Sequence, residues 1–178
     1  SRSPVTTYFL ENQEYFELRS NAYGYTDDRV RFALLSRACL EFFNSFREWV
    51  PDIIVATDWE TGFLPNFLKL DYKEYRHLQD IATIFSIHNL AAQGMMPSHR
   101  FIPEMERDAG QGSLPYFFSN EMKNTNAMRR GIMYADVVTT VSPAYANEIT
   151  TPEFGEGLDA LLRERRSRLF GILNGIDY

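Results

Sequence analysis

Four short apolar runs along the chain each end abruptly in polar residues. They cover residues 53–56, 81–87, 137–141 and 169–173, and the segments between them can form helices. Short runs rich in β-branched and aromatic residues are typical of buried strands, and strands that alternate with helices favour a parallel sheet. The pattern therefore predicts an α/β fold with a Rossmann-like parallel sheet and crossover helices.

Polar side chains follow each of these four predicted strands: Asp58, His88, Ser142 and Asn174. The carboxyl ends of parallel strands share one edge of the sheet, and ligands bind in the crevice beyond that edge. We expect the four residues to converge on one rim. Because Pro143 follows Ser142, the serine is more typical of a helix N-cap than of a nucleophile.

Other segments predict the elements around this sheet. An apolar stretch at residues 5–10 predicts a further strand, and helical spacing predicts helices over 29–49, 63–70, 126–134 and 158–168. The arginines of the last helix indicate a solvated face. Residues 95–125 lack periodicity, which is typical of a loop that is either functional or mobile.

Charge and composition narrow the partners. The net charge of -6 argues against a nucleic-acid partner, which needs a cationic face. No apolar run is long enough to span a membrane, and the single cysteine, Cys39, favours a reducing, cytoplasmic location. The spacing of His77, His88 and His99 is not that of a zinc site, and no glycine-rich phosphate loop follows the strands.

Five motifs occur in one order along the chain and together resemble the N-terminal domain of bacterial glycogen synthases and plant starch synthases, glycosyltransferase family 5. They lie at residues 51–62, 87–94, 134–143, 151–158 and 171–177. The resemblance implies a two-domain GT-B enzyme that transfers glucose from ADP-glucose to the nonreducing end of an α-1,4-glucan. The transfer retains configuration and uses no metal or other cofactor.

The resemblance also implies roles for particular residues. It places His88 and Asp58 in the catalytic pocket beside the transferred glucose. It implies that the sugar nucleotide or the glucan is bound by Asn89, Asn174, Gly175 and Tyr23.

The chain departs from the family pattern in two ways. Val55 and Thr57 stand where the family often has histidines, and no Lys-x-Gly-Gly donor loop precedes Tyr8. We therefore expect residues 1–178 to be an interior piece of the acceptor-side domain, without the second, nucleotide-binding C-terminal domain. Such a piece is expected not to turn over alone, and an unpaired sheet edge favours self-association or marginal stability. The location would be a plastid if the source is a plant.

Two other functions stay open from the sequence. One is a stand-alone glucan-binding module. The other is a relative of a different sugar-nucleotide glycosyltransferase, such as a sucrose or trehalose-phosphate synthase. The sequence leaves open whether the donor carries ADP or UDP, which glucan length is preferred, and the oligomeric state.

Overall fold

A computed structural model describes residues 5–94 and 108–175 of the chain. Within those residues a four-stranded sheet is formed by β1 (Ile53–Thr57), β2 (Ala82–Ile87), β3 (Val137–Thr140) and β4 (Leu169–Gly171). The strands follow one another in sequence order, and every neighbouring pair is parallel. The predicted parallel α/β sheet is confirmed, and the observed strands differ from the predicted runs by one or two residues at their ends.

The longer helices connect or flank these strands. They are α1 (Asp28–Ser45), α2 (Phe63–Leu70), α3 (Ala127–Tyr134), α4 (Pro143–Glu148) and α5 (Asp159–Glu164). Single helical turns occur at Trp59–Thr61, Arg76–Leu78, Glu121–Asn124 and Arg166–Arg168, and a π-helical turn at Gln13–Glu17. Helix α1 is four residues shorter at its C-terminus than its apolar pattern predicts.

The core lies between one face of the sheet and the helices. Alternate strand residues such as Ala56, Phe85 and Val138 are fully buried on that face. Complete burial of an apolar side chain stabilises the fold by roughly 1.5–3 kcal/mol. Helix α3 approaches closely because it carries Gly131, where a Cβ would lie 2.5 Å from the ring of Phe85.

The opposite sheet face is open within the described residues. Ile53, Val55 and Phe170 alternate with the buried positions and are 55%, 59% and 51% exposed. The register places Val55 beside the half-buried Ile84 and Phe170 beside Thr139, so the exposed apolar side chains lie on the two outer strands. An uncovered apolar surface of this kind favours association. Self-association of the chain stays a prediction.

The predicted strand at residues 5–10 is wrong, since residues 6–10 have no strand structure. The Tyr8 ring packs instead on Phe42 of α1, with 4.7 Å between ring centroids. The apolar, β-branched composition is typical of a strand, but the segment meets a helix and not a sheet edge.

The predicted helix at residues 158–168 is interrupted at Arg165; Arg163, Arg166 and Arg168 are exposed as predicted, and Arg165 is half-buried. Arg165 donates a hydrogen bond to the carbonyl of Ala135, and Arg166 donates one to the Asn147 side chain. These arginines therefore attach the end of the chain to α3 and α4.

Candidate functional site

The loop after β1 begins at Asp58, which has an unusual backbone conformation. Its φ is 54° and its ψ is −173°, a combination that L-residues rarely adopt. Strain of this kind costs on the order of 1–3 kcal/mol and persists only where surrounding contacts enforce it. Those contacts are present, since the Asp58 amide donates to the Ser86 carbonyl at 2.9 Å.

The Asp58 carboxylate joins the loops that follow β1 and β2. Its Oδ1 accepts the backbone N–H of His88 at 2.7 Å and that of Asn89 at 3.3 Å. Its Oδ2 lies 3.2 Å from Nδ1 of the His88 ring. A hydrogen on Nδ1 would point at the carboxylate, which leaves Nε2 of the half-exposed ring available to a ligand.

A cavity of about 300 Å³ opens at this rim. It is lined by Tyr23, Asp58, Trp59, Glu60, Asn89, Ala91, Ala92, Gln93 and Gly94. Carboxylates and side-chain amides offer acceptors and donors for hydroxyl groups, and aromatic faces contact the C–H face of a sugar ring. No lysine or arginine is present among the lining residues that the structure describes. The lining suits a neutral polyhydroxyl ligand better than a phosphate.

Glu60 gives the cavity a carboxyl group with an altered acidity. Burial raises the pKa of this carboxyl, and the negative charges of Asp58 and Asp28 add to the effect. A carboxyl with a raised pKa keeps its proton to a higher pH and can then donate as well as accept a hydrogen bond.

Trp59 forms the packed floor beside the cavity. Its ring is 6% exposed and meets the Phe32 ring edge-on, with 4.8 Å between centroids. The exposed Tyr23 ring approaches it edge-on from the other side at 6.4 Å. Gly94 also packs here with φ +84°, and a Cβ at that position would lie 2.5 Å from the indole. Only glycine fits this approach without displacing the ring.

Three buried or partly buried hydrogen bonds hold the loop that follows β2. The Tyr145 hydroxyl accepts the Leu90 N–H at 3.2 Å, and the Gln93 side-chain amide donates to the Glu156 carbonyl at 2.9 Å. Asn126 in turn donates to Oε1 of Gln93 at 2.7 Å. These contacts fix the backbone that carries His88.

An ion pair extends this support into the helix layer. Arg130 donates through two nitrogens to the Asp108 carboxylate at 2.9 and 3.0 Å, and both side chains are buried. The same carboxylate accepts the backbone N–H of Asn126 at 2.8 Å. The contacts run continuously from Arg130 through Asp108 and Asn126 to Gln93 at the cavity.

Three of the six site residues predicted from the sequence line the cavity, namely Tyr23, Asp58 and Asn89, and His88 contacts Asp58 without being part of the lining. Asn174 and Gly175 follow β4 at the same edge of the sheet, but they are exposed and do not line the cavity. Ser142 is an N-cap as predicted, since its Oγ accepts the Tyr145 N–H at 3.0 Å.

Sequence reasoning missed Glu60 and Gln93 as cavity residues. Both lie inside motifs that were recognised, directly beside Trp59 and Gly94, and that adjacency was the available signal.

The described residues have neither a candidate metal centre nor a candidate membrane span. Among the described residues, no group of three or more histidine, cysteine, aspartate or glutamate side chains could hold a metal ion. No helix in residues 5–94 and 108–175 is long and apolar enough to cross a membrane.

Comparison with protein families gave a match over residues 1–164 to a family described as starch synthase catalytic domain. Curated relatives include the glycogen synthase of Exiguobacterium sibiricum, which is 42% identical over 98% of this chain. The glycogen synthase of Clostridium botulinum is 44% identical over 98% of this chain. In both cases the chain spans 36% of the relative's length.

A solved structure is also similar. It is the catalytic domain of starch synthase IV from Arabidopsis thaliana bound to ADP and acarbose, with a TM-score of 0.70 and 32% sequence identity. The alignment covers 89% of this chain and 32% of that one.

Proposed function

Because the family match spans residues 1–164, the chain belongs to the starch synthase catalytic domain family, and we propose that its rim cavity binds glucosyl units during glucan synthesis. The parent reaction is the retaining transfer of glucose from ADP-glucose to the nonreducing end of an α-1,4-glucan. Residues 1–178 form the acceptor-side part of that enzyme, and a C-terminal nucleotide-binding domain completes it.

The composition of the cavity lining is the observation that supports this proposal most directly. Two carboxyl groups, two side-chain amides and an exposed tyrosine surround a space of about 300 Å³. Asp58, Glu60, Asn89 and Tyr23 can hydrogen-bond several sugar hydroxyls at once, while the Gln93 amide is held by Asn126 and Glu156. A nucleoside diphosphate leaving group needs positive charge facing it. We propose that those charges come from residues outside the described lining.

His88 and Asp58 act as a pair in this proposal. The carboxylate orients the imidazole through Nδ1, so that Nε2 faces the sugar as a hydrogen-bond partner. The negative charge of Asp58 also favours positive charge that develops on the transferred glucose in the transition state. Both roles depend on a fixed geometry, which the two backbone N–H bonds to Asp58 supply.

The remaining predicted residues have binding roles. Asn89 contacts sugar hydroxyls from the cavity rim, and Tyr23 packs against the sugar ring. Asn174 and Gly175 lie at the same sheet edge outside the cavity, where they face the donor in the cleft between the two domains. The transfer is proposed to need no metal or other cofactor. A cytoplasmic location, or a plastid one in a plant, stays a prediction.

Titration of the 178-residue chain tests the sugar site. Maltoheptaose and acarbose are added while amide chemical shifts are recorded by NMR. We expect shifts at the cavity residues, weakened in Asn89→Ala and unchanged in Asn120→Ala, an exposed asparagine that does not line the cavity. Shifts confined to another surface, or no shifts at all, would contradict the proposal.

A transfer assay tests whether the chain, alone or joined to a nucleotide-binding domain, transfers glucose to glycogen. Labelled glucose from ADP-glucose or UDP-glucose is offered together with glycogen. The chain alone is expected not to incorporate label, because the cavity residues that the structure describes include no cation for the diphosphate. Clear incorporation would refute that expectation. A stand-alone glucan-binding module would bind maltoheptaose but would give no turnover even when joined to a nucleotide-binding domain.

A further inference from the structure

A buried ion pair lies in the first turn of α1, next to the cavity but outside its lining. Arg31 and Asp28 are 2% and 6% exposed, and Arg31 NH1 lies 2.5 Å from Asp28 Oδ1. Taking two charges out of water is costly unless further hydrogen bonds satisfy both groups. The other partners of the pair therefore indicate what it does.

Both charged groups bind the backbone of the loop that precedes α1. Asp28 Oδ2 accepts the N–H groups of Gly24 at 2.5 Å and Tyr25 at 3.0 Å. Arg31 Nε donates to the carbonyl of Tyr15 at 2.6 Å. The loop is thus attached to the helix at both of its ends.

Aromatic rings pack around the same guanidinium. Its central carbon lies 5.5 Å from the Phe16 ring centroid, 5.1 Å from that of Tyr25 and 5.4 Å from that of Phe32. Each cation–π contact of this kind is worth on the order of 0.5–2 kcal/mol, and the delocalised guanidinium suits it better than a compact ammonium.

This turn of α1 reaches the cavity from two sides. Tyr23 directly precedes Gly24, so the hydrogen bonds to Asp28 fix the backbone next to the tyrosine ring. Phe32 directly follows Arg31 and packs on Trp59, the other aromatic residue of the cavity.

We propose that Asp28 and Arg31 are positioning residues that set the Tyr23 ring against Trp59 and so complete the aromatic wall of the sugar cavity. The contact between this aromatic wall and a sugar rests on the proposed function, whereas the positioning of Tyr23 by Asp28 and Arg31 does not. Neither residue touches the sugar, and both act through Tyr23.

Asp28→Asn is the most informative variant, because it preserves the size of the side chain but removes one of its two accepting oxygens. The carboxylate accepts two loop N–H groups on one oxygen and Arg31 on the other. An asparagine has one accepting oxygen and can serve only one side. Arg31→Lys is the second variant, since lysine keeps the charge but not the fork that reaches Asp28 and Tyr15 together. Arg163→Lys is the control, with an exposed ion pair to Asp159 on α5.

Hydrogen–deuterium exchange tests the positioning without a ligand. Peptides that cover residues 18–26 should exchange faster in Asp28→Asn and Arg31→Lys than in the wild type or Arg163→Lys. Peptides that cover β1 and β2 should be unchanged, which shows that the variants are folded. Unchanged exchange at residues 18–26 in both variants would overturn the proposal.

Titration with acarbose tests whether the pair acts through Tyr23. We expect Asp28→Asn to weaken binding roughly three- to tenfold, which is the loss expected for one aromatic contact. Tyr23→Ala should weaken it similarly, and the double variant should bind no worse than Tyr23→Ala alone. Additive losses would mean that Asp28 acts on the fold in general and would overturn the positioning role.

Hydrogen–deuterium exchange and acarbose titration together distinguish failure of the positioning proposal from failure of the proposed function. If the wild-type chain does not bind acarbose, the proposed function fails, while the exchange data still decide whether Asp28 and Arg31 hold the loop. If the wild type binds and Asp28→Asn binds equally well, the sugar site stands and the positioning proposal is overturned.

Discussion

Loss of the Arg130 guanidinium should destabilise the chain more than any exposed charge change. Arg130 and Asp108 form a two-point ion pair in which the side chains are 4% and 9% exposed. One further nitrogen of Arg130 donates to Asn66 Oδ1 at 3.1 Å and to the Gly112 carbonyl at 2.9 Å. Arg130→Met keeps much of the aliphatic volume but removes the Arg130 donor from each of these acceptors, while the Gly112 carbonyl still accepts from the Asn66 amide at 3.2 Å.

The magnitude follows from the buried charge that remains. Removal of one partner of a buried ion pair costs about 3–5 kcal/mol. Asp108 keeps two backbone donors, from Gly110 and Asn126, so the lower end, about 3 kcal/mol, is expected. For a chain of 178 residues each kcal/mol lowers Tm by roughly 2–4 °C, which gives a fall of roughly 6–12 °C.

Thermal unfolding followed by circular dichroism measures this loss. The double variant Arg130→Met/Asp108→Asn should be more stable than Arg130→Met, because it has no unpaired buried charge and the amide oxygen can still accept a backbone N–H. Arg163→Met removes an exposed pair and should cost less than about 1 kcal/mol. A fall of under about 3 °C for Arg130→Met, or a double variant less stable than the single one, would refute the reasoning.

Three further predictions concern acidity and packing. Glu60→Gln should raise Tm at about pH 7.5 but not at about pH 4. The pKa of Glu60 is raised in the folded state, so the wild type loses stability as pH rises through that pKa. Equal effects at both pH values would contradict this. Tyr72→Phe removes the 2.6 Å hydrogen bond that lowers the pKa of Glu41, and should cost about 1 kcal/mol at neutral pH in urea unfolding. That cost should shrink as pH falls through the lowered pKa of Glu41, because the hydrogen bond favours the ionised carboxylate; a pH-independent cost would argue against it. Gly131→Ala places a Cβ 2.5 Å from the Phe85 ring and should cost about 1–2 kcal/mol in urea unfolding, despite the better helix propensity of alanine. A stabilised variant would show that the ring can move.

The sheet and its functional edge were predictable because their signals are local. A run of β-branched residues that stops at a polar one identifies both a strand and its end, as at Asp58 and His88. The segment at residues 5–10 gave an equally good local signal, but pairing with a sheet is a long-range event and Tyr8 meets a helix instead. The cavity role of Glu60 had only its position beside Trp59 as a signal, because its burial depends on how three separate loops meet.

The arrangement around Trp59 decides which substitutions can test function. Phe32 from α1, Tyr23 from the first loop and Gly94 from the loop after β2 all pack on this one indole. The indole therefore sets the spacing between loops that are far apart in sequence, and truncation of a buried tryptophan costs about 3–5 kcal/mol. A Trp59→Ala variant would lose sugar binding whether or not the ring touches sugar. Asn89 is exposed at the rim, where its Oδ1 accepts the Ala91 N–H at 3.1 Å, so a change in its side chain removes one exposed turn contact and affects the fold far less than Trp59→Ala.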